Sequence, residues 1–250
     1  MCGRMTLTAS GDEIARYFAE AMAVTPAPPG GGSGETLRPR FNLTPGQNVL
    51  TVVPGLAGAG LVMEFAWKRW GLVPPWADGP ALGHRLFNAR AETVAEKPSF
   101  RSAYARRRCL VVADGFYEWT PRERGHRPFL FRSSRSSLLT FAGLFESWRG
   151  TGGEGVESCT VLTTAANADL EGVHHRMPVI LETPARKLWL DAKTSAPALA
   201  GIALPAPSGT LMREPVSSRV NDPRHDDPAC WSPAERAEQG SLFSTDGDVF

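Results

Sequence analysis

Short runs rich in Val, Leu, Phe and Trp, parted by turn formers, set the pattern of this chain. They predict extended segments at 49–53, 61–70, 109–119, 129–132, 138–146, 158–163 and 177–181. Helical spacing is rarer. Ser10-Gly11-Asp12-Glu13 reads as a capping box, and Ile14, Tyr17, Phe18 and Ala21 then recur on one face, which predicts a helix over 11–22. Two more helices are expected near 98–107 and 184–192. Strands that rarely alternate with helices, and no internal repeat, predict an α+β domain built on antiparallel sheet.

Two segments break this pattern. Residues 25–36, TPAPPGGGSGET, are almost all turn formers and lack the Lys that a phosphate loop places after its last Gly, so a flexible surface insertion is expected there. From 222 to 250 the chain is rich in Asp and Pro and is expected to be poorly ordered, which leaves 2–221 as the organised domain.

With 250 residues, 42% of them hydrophobic and 21% charged, the chain can bury a proper core as one large domain or two small ones. A net charge of +1 gives no global signature of nucleic-acid binding, so any such binding must be local. The first 24 residues carry charges and no long apolar run, and no stretch is suited to span a membrane, so the cytoplasm or nucleoid is the expected compartment. Cys2, Cys109, Cys159 and Cys230 are scattered without a C-x-x-C, which suggests neither a disulfide framework nor a zinc ribbon. Cys109 and Cys159 lie in apolar runs and are expected in the core.

Cys2 is different, because removal of Met1 would place an α-amine and a thiol on one residue. With ordinary pKa values of about 7.7–8.0 and about 8.5, both groups are usable nucleophiles near neutral pH. An aldehyde would meet the amine first, as a Schiff base, and the thiol would then close a five-membered thiazolidine. An amide would meet the thiolate. In an arbitrary protein such a terminus simply frays, so the case rests on the other motifs.

Cys109-Leu-Val-Val-Ala-Asp-Gly-Phe-Tyr-Glu-Trp119 is a nearly apolar strand ending in a carboxylate. If it stays extended, Glu118 shares a face with Val112 and Phe116. Burial there would raise its pKa and let it shuttle protons, whereas a strand end pointing into solvent would leave it ordinary. His174-His175-Arg176-Met177-Pro178 pairs His174 with Arg176 on one side of an extended chain and turns His175 to the other. A His beside an Arg suits proton transfer on an anionic substrate. No H-E-x-x-H or cysteine partner accompanies these histidines, so no metal site is assigned. Asn88 and Arg90, in Phe87-Asn-Ala-Arg90, could position an amine and grip a phosphate, or form a mere cap or turn. Trp76 ends a stiff Trp-Pro loop and could stack on an unpaired base, or pack conventionally. Arg101, Arg106, Arg107 and Arg108 form a basic cluster that could track a backbone or be a solvated face.

Taken in order, Met1-Cys-Gly-Arg4, Phe41-Asn-Leu-Thr-Pro-Gly46, Trp70-Gly-Leu-Val-Pro74, Asn88-Ala-Arg-Ala-Glu-Thr93, Ala113-Asp-Gly-Phe-Tyr-Glu-Trp119, His174-His-Arg-Met-Pro178 and Pro215-Val-Ser217 resemble the SOS-response-associated peptidase (SRAP) family, also described as abasic-site processing proteins. The resemblance runs from Cys2 to about Asn221. It implies a barrel-like antiparallel core flanked by helices, no cofactor, a monomer, and covalent capture of abasic sites in single-stranded DNA by Cys2. By the same resemblance Asn88 would position the Cys2 amine, Glu118 would relay protons, and His174 would assist sugar opening and crosslink reversal. Arg4, Arg90 and Arg176 would hold phosphates. Trp76, Trp119 and Pro45 would shape a bent single strand, with Thr164 on the same surface. The peptidase label would fit removal of Met1, which could proceed through the protein's own groups. The role of His175 is left open.

Two rivals start from the same residues. An amino-terminal-nucleophile amidohydrolase would use Cys2 on an amide, and a non-covalent reader of single-stranded or modified DNA would give Cys2 no chemical role.

Overall fold

The computed structural model describes residues 2–22, 36–55, 63–124 and 126–234. The expected insertion at 25–36 lies, apart from Thr36, outside these residues. The apolar runs become strands β3 (Asn48–Pro54), β4 (Met63–Trp70), β6 (Arg108–Ala113), β9 (Leu139–Arg149) and β10 (Gly155–Ala165). They pair in the order β10-β4-β3-β6-β9, and pairing of β9 with β10 closes the ring into a five-stranded barrel. Closure removes the free edges that such apolar strands would otherwise expose. The ladders are antiparallel apart from the seam between β4 and β10, where Ser158 faces Arg69 and Cys159 faces Trp70 in parallel.

The barrel is tightly filled. Cys109 and Cys159 are both fully buried in it, as the sequence suggested. At Gly143 a Cβ would stand 2.8 Å from the Cys109 sulfur and 3.0 Å from Val111, so a side chain there would force the wall apart. Helix α1 (Gly11–Met22) starts with the anticipated capping box: the Ser10 N–H donates to Glu13 Oε2 at 2.7 Å, and the Glu13 N–H donates to Ser10 Oγ at 3.3 Å. Its Ile14 and Phe18 are buried. The other expected helices are α2 (Arg101–Arg106) and α3 (Ala185–Leu190), and α4 (Ala196–Ile202) follows without having been anticipated. Trp189 of α3 is buried and donates its indole N–H to the Cys109 carbonyl of the barrel at 3.0 Å.

A second, five-stranded antiparallel sheet carries the amino terminus. Its order is β12 (Leu211–Pro215), β8 (Pro128–Ser133), β7 (Gly115–Trp119), β1 (Met5–Leu7) and β2 (Arg40–Leu43). The run 109–119 is therefore two strands. Its break is Asp114, whose buried carboxylate accepts from Thr6 Oγ1 and from both the N–H and the hydroxyl of Thr8, so the chain turns out of the barrel to pair with β1. β7 still keeps period 2. Phe116 and Glu118 share one face toward the main core, and Tyr117 points to a smaller cluster with Leu130, Val216, Val220 and Cys230.

Beyond residue 221 the expectation of poor order is corrected as far as Pro233. Cys230 is fully buried, Trp231 packs on Phe41 at 4.9 Å between ring centroids, and Asp226 accepts the N–H groups of Phe41 at 2.6 Å and Asn42 at 2.9 Å. The polar residues that looked like a solvated tail serve as partners for the outer edge of β2. Residues 235–250 lie outside the described part.

Two three-residue strands place the site. β5 (Asn88–Arg90) runs parallel to the distal half of β10, with Val161 opposite Asn88. β11 (Arg176–Pro178) runs antiparallel to the same half, with Ala165 opposite Arg176. One strand thus brings together motifs that lie far apart along the chain. No helix among the described residues is long and apolar enough to cross a membrane.

Candidate active site at the amino terminus

Cys2 is fully buried where the second sheet meets the barrel. Its carbonyl oxygen accepts a 2.7 Å hydrogen bond from Asn88 Nδ2, which ties the first residues to β5. The Asn88 Oδ1 atom is buried without a hydrogen-bond partner among the described residues. Burial, followed by the negative charge of Glu118, pushes the Cys2 thiol well above its ordinary range, so it stays protonated at neutral pH.

Glu118 is 3% exposed, and burial pushes its carboxyl up to about 7. The strand-end alternative, an ordinary carboxylate in solvent, is excluded. Its Oε1 lies 4.0 Å from Nδ1 of His174. Burial lowers His174 to about 4, so the imidazole is neutral near pH 7. Its Nδ1 lies 3.0 Å from the Arg176 N–H, a donor, and 3.1 Å from the Arg176 carbonyl oxygen, an acceptor, so the Arg176 main chain can hold the ring in either tautomer. A carboxyl poised at neutrality beside an imidazole held neutral is a pair suited to moving protons in both directions.

Residues 174 and 175 precede β11 and are not extended. Their rings consequently stack, with centroids 4.5 Å apart and planes 23° apart, and do not face opposite ways as expected. Both line an open cleft of about 730 Å³ together with Trp119, Pro121, Glu123 and Val173. Trp119 also lines a second cleft of about 380 Å³ formed with Gly3, Arg4, His126 and Asn221.

The three arginines expected to hold phosphates differ in their surroundings. Arg90 is exposed on β5. Arg4 donates to Asn42 Oδ1 at 2.8 Å and to the carbonyls of Val220 at 2.5 Å and Asn221 at 3.2 Å, and its guanidinium lies 5.7 Å from the Trp119 ring centre. Arg176 grips Glu92 through both terminal nitrogens at 2.5 and 2.9 Å and the Thr163 carbonyl at 2.6 Å, clamping β11 to the Asn88 motif. Thr164 is 4% exposed within β10, so it is not presented on an open face.

Trp76 is 59% exposed, on a loop held by the Trp148 indole N–H donating to the Ala77 carbonyl at 2.8 Å and by the Val73 N–H donating to Ser158 Oγ at 2.9 Å. Pro45 sits half-buried in the turn after β2, and Gly46 takes φ +93° there. Trp119 donates its indole N–H to Asn221 Oδ1 at 2.7 Å. The basic cluster dissolves. Arg107 pairs with the buried Glu146 at 2.6 Å, and the buried Arg108 is committed to carbonyls at the ends of α2 and α3, leaving only Arg101 and Arg106 exposed.

Asn42 belongs to one of the sequence motifs but carries no role there. It is fully buried, accepts from Arg4, and donates to the carbonyls of Val220, Asp222 and His225, so it anchors the segment that holds Arg4 and Trp119. An Asn between the apolar Phe41 and Leu43 was the available signal. Nothing comparable marked Glu123 or His126. Among the described residues no group of three or more His, Cys, Asp or Glu is arranged to hold a metal.

A barrel-centred fold with a buried cysteine next to its amino terminus, beside Asn88 and Glu118 and with His174 close to Glu118, defines the class. The profile of the family described as SOS response associated peptidase (SRAP) matches residues 1–223, and the chain belongs to that family. Abasic site processing protein YoqW of Bacillus subtilis (strain 168) is 37% identical over 230 residues, spanning 91% of this chain and 97% of that protein. Abasic site processing protein HMCES of Gallus gallus is 35% identical over 191 residues, 67% of this chain and 56% of that protein. A crystal structure of a protein from Bacteroides thetaiotaomicron superposes with a TM-score of 0.78 at 21% identity, covering 94% of this chain and all of that one. The family and the α+β barrel expected from the sequence are both borne out.

Proposed function

We propose that this protein processes abasic sites in single-stranded DNA by joining them covalently to Cys2. The observation that carries the reading is the convergence of Asn88, Glu118 and His174, tuned as described, on a buried cysteine beside the amino terminus. Relatives named abasic site processing proteins, aligned over nearly their whole length, support the substrate class.

The sequence begins with hydrolysis of the Met1–Cys2 bond, which consumes one water and frees the α-amine. The amine adds to the aldehyde of the ring-opened sugar, and loss of one water gives an imine. The Cys2 sulfur then bonds to the carbon of the protonated imine, closing a thiazolidine, while its proton passes to the Glu118 carboxylate. Protonated Glu118 supplies the proton that lets water leave, and its carboxylate then takes the thiol proton. Neutral His174 assists sugar opening and the reverse reaction. Asn88 holds the Cys2 main chain so that the amine faces the aldehyde. The product masks an aldehyde that would otherwise lead to strand breakage.

The amidohydrolase alternative needs a thiolate as the first attacker, and burial disfavours that ion. Imine capture starts from the amine and has no such need. The test mixes protein lacking Met1 with an oligonucleotide bearing one abasic site, followed by a denaturing gel and peptide mapping. A shifted band mapping to Cys2 is expected. No shift, with retention of non-covalent binding by Cys2→Ala, would establish the reader alternative.

A further inference from the structure

The proposed chemistry uses His174 and leaves its neighbour unused. His175 is exposed, and its ring lies on that of His174 as the outer leaf of a two-imidazole stack. Both rings line the cleft of about 730 Å³, a volume in the usual range for small-molecule sites. Trp119 supplies a second aromatic surface, Pro121 and Val173 supply apolar edges, and Glu123 is the one acidic side chain among the described residues of the lining. Among the residues whose side chains are described, no Arg or Lys lines this cleft. A phosphate there would meet the Glu123 carboxylate. An unpaired base has what these walls accept, namely an apolar π face and edge N–H donors.

We propose that this cleft is a subsite for the unpaired nucleobase next to the lesion, with His175 as its stacking platform and Glu123 as the acceptor for the base-edge N–H groups. The source of that base rests on the single-stranded DNA reading above. Cytosine, adenine and guanine each present a donor that Glu123 can accept without a carbonyl on both sides of it. Thymine offers only an imide N–H between two carbonyl oxygens, which the carboxylate repels.

The test uses a fluorescent single-stranded oligonucleotide with tetrahydrofuran, a non-reactive abasic analogue, in place of the lesion, read by anisotropy at fixed salt. A second pair of oligonucleotides also lacks the base on the 5′ or the 3′ side. His175→Ala should bind the first oligonucleotide about 5- to 30-fold more weakly, as loss of one stacked base predicts, and His175→Phe should bind near wild type. Removing one of the two neighbouring bases should weaken the wild type by a similar factor and leave His175→Ala unchanged. Glu123→Gln should flatten the preference against thymine at that position. Equal losses in wild type and His175→Ala on base removal would overturn the subsite. Because no bond to Cys2 forms in this assay, failure of the reactive oligonucleotide to crosslink counts against covalent capture alone.

Discussion

The side-chain amide of Asn88 donates to the carbonyl oxygen of Cys2 at 2.7 Å, so the position of the amino terminus is set by a strand 86 residues away in sequence. Asn88→Asp keeps the size but replaces the donor with an acceptor that faces the Cys2 carbonyl oxygen. Adduct formation should slow by at least about tenfold, as misplacing a reacting group does, while the fold loses only about 1 kcal/mol. Single-turnover gels read the first quantity and thermal denaturation the second. A variant with wild-type rate would remove Asn88 from the mechanism.

Cys2→Ser separates the two bonds to the sugar. Its amine still forms an imine, but a hydroxyl closes no stable sulfur ring, so the adduct should be trapped by borohydride and otherwise be lost on heating. Wild-type adduct should survive the same heating without reductant. Equal durability of the two would refute ring closure.

Glu118 and His174 pull stability in opposite directions with pH. Burial raises Glu118 from 4.5 to about 7, so the folded state holds its proton more firmly and stability falls as pH rises through that window. His174 is lowered from 6.5 to about 4, so the unfolded chain takes the proton more readily and stability is lost as pH falls from 6.5 toward 4. The two slopes oppose each other where the windows overlap. Glu118→Gln should leave a Tm that climbs with pH from about 4 to 6.5, whereas His174→Gln should leave one that declines from about 4.5 to 7. Parallel Tm profiles for both variants would contradict the assigned shifts. The crosslinking rate should titrate near 7 in the wild type and lose that titration in Glu118→Gln.

Arg90 and Arg176 separate binding from structure. Arg90 is exposed, so Arg90→Ala should leave Tm unchanged and make the dependence of log K on log salt shallower by about 0.7, the loss of one phosphate contact on a single strand. Arg176 is held by Glu92 and Thr163, so Arg176→Ala should lower Tm. Arg90→Ala with an unchanged salt slope would remove Arg90 from the phosphate contacts.

The long apolar runs and the capping box were legible because each carries its own signal, period and cap, within a few residues. β5 and β11 were not, because three residues have no period and exist as strands only through β10. The corner at Asp114 depends on hydroxyls at Thr6 and Thr8, more than a hundred positions away. The chemistry of the site was readable as residue types, since Cys2, Asn88, Glu118 and His174 stand in recognisable motifs. The commitments of Arg4 and Arg176 were hidden, because their acceptors at Val220 and Glu92 are fixed only by the tertiary fold.

The carboxyl-terminal segment gives the last prediction. Asp226 accepts two N–H groups from the free edge of β2 and pairs with Arg40, while Asn221 in the same segment holds Trp119 and Arg4. Asp226→Ala strands two main-chain donors, a loss of about 2–3 kcal/mol that should lower Tm by roughly 5–10 °C in a chain of this size. Freed from Asn221, the Trp119 ring should also lose its fixed orientation, so binding of a tetrahydrofuran oligonucleotide should weaken at temperatures well below the new Tm. Asp226→Asn keeps the two acceptor contacts on Oδ1 but turns an amide NH2 toward the Arg40 Nε donor, so it should recover part of the stability and nearly all of the binding. If Asp226→Ala is destabilised yet binds as tightly as wild type, the segment is a structural strap alone and Trp119 is held by its own sheet.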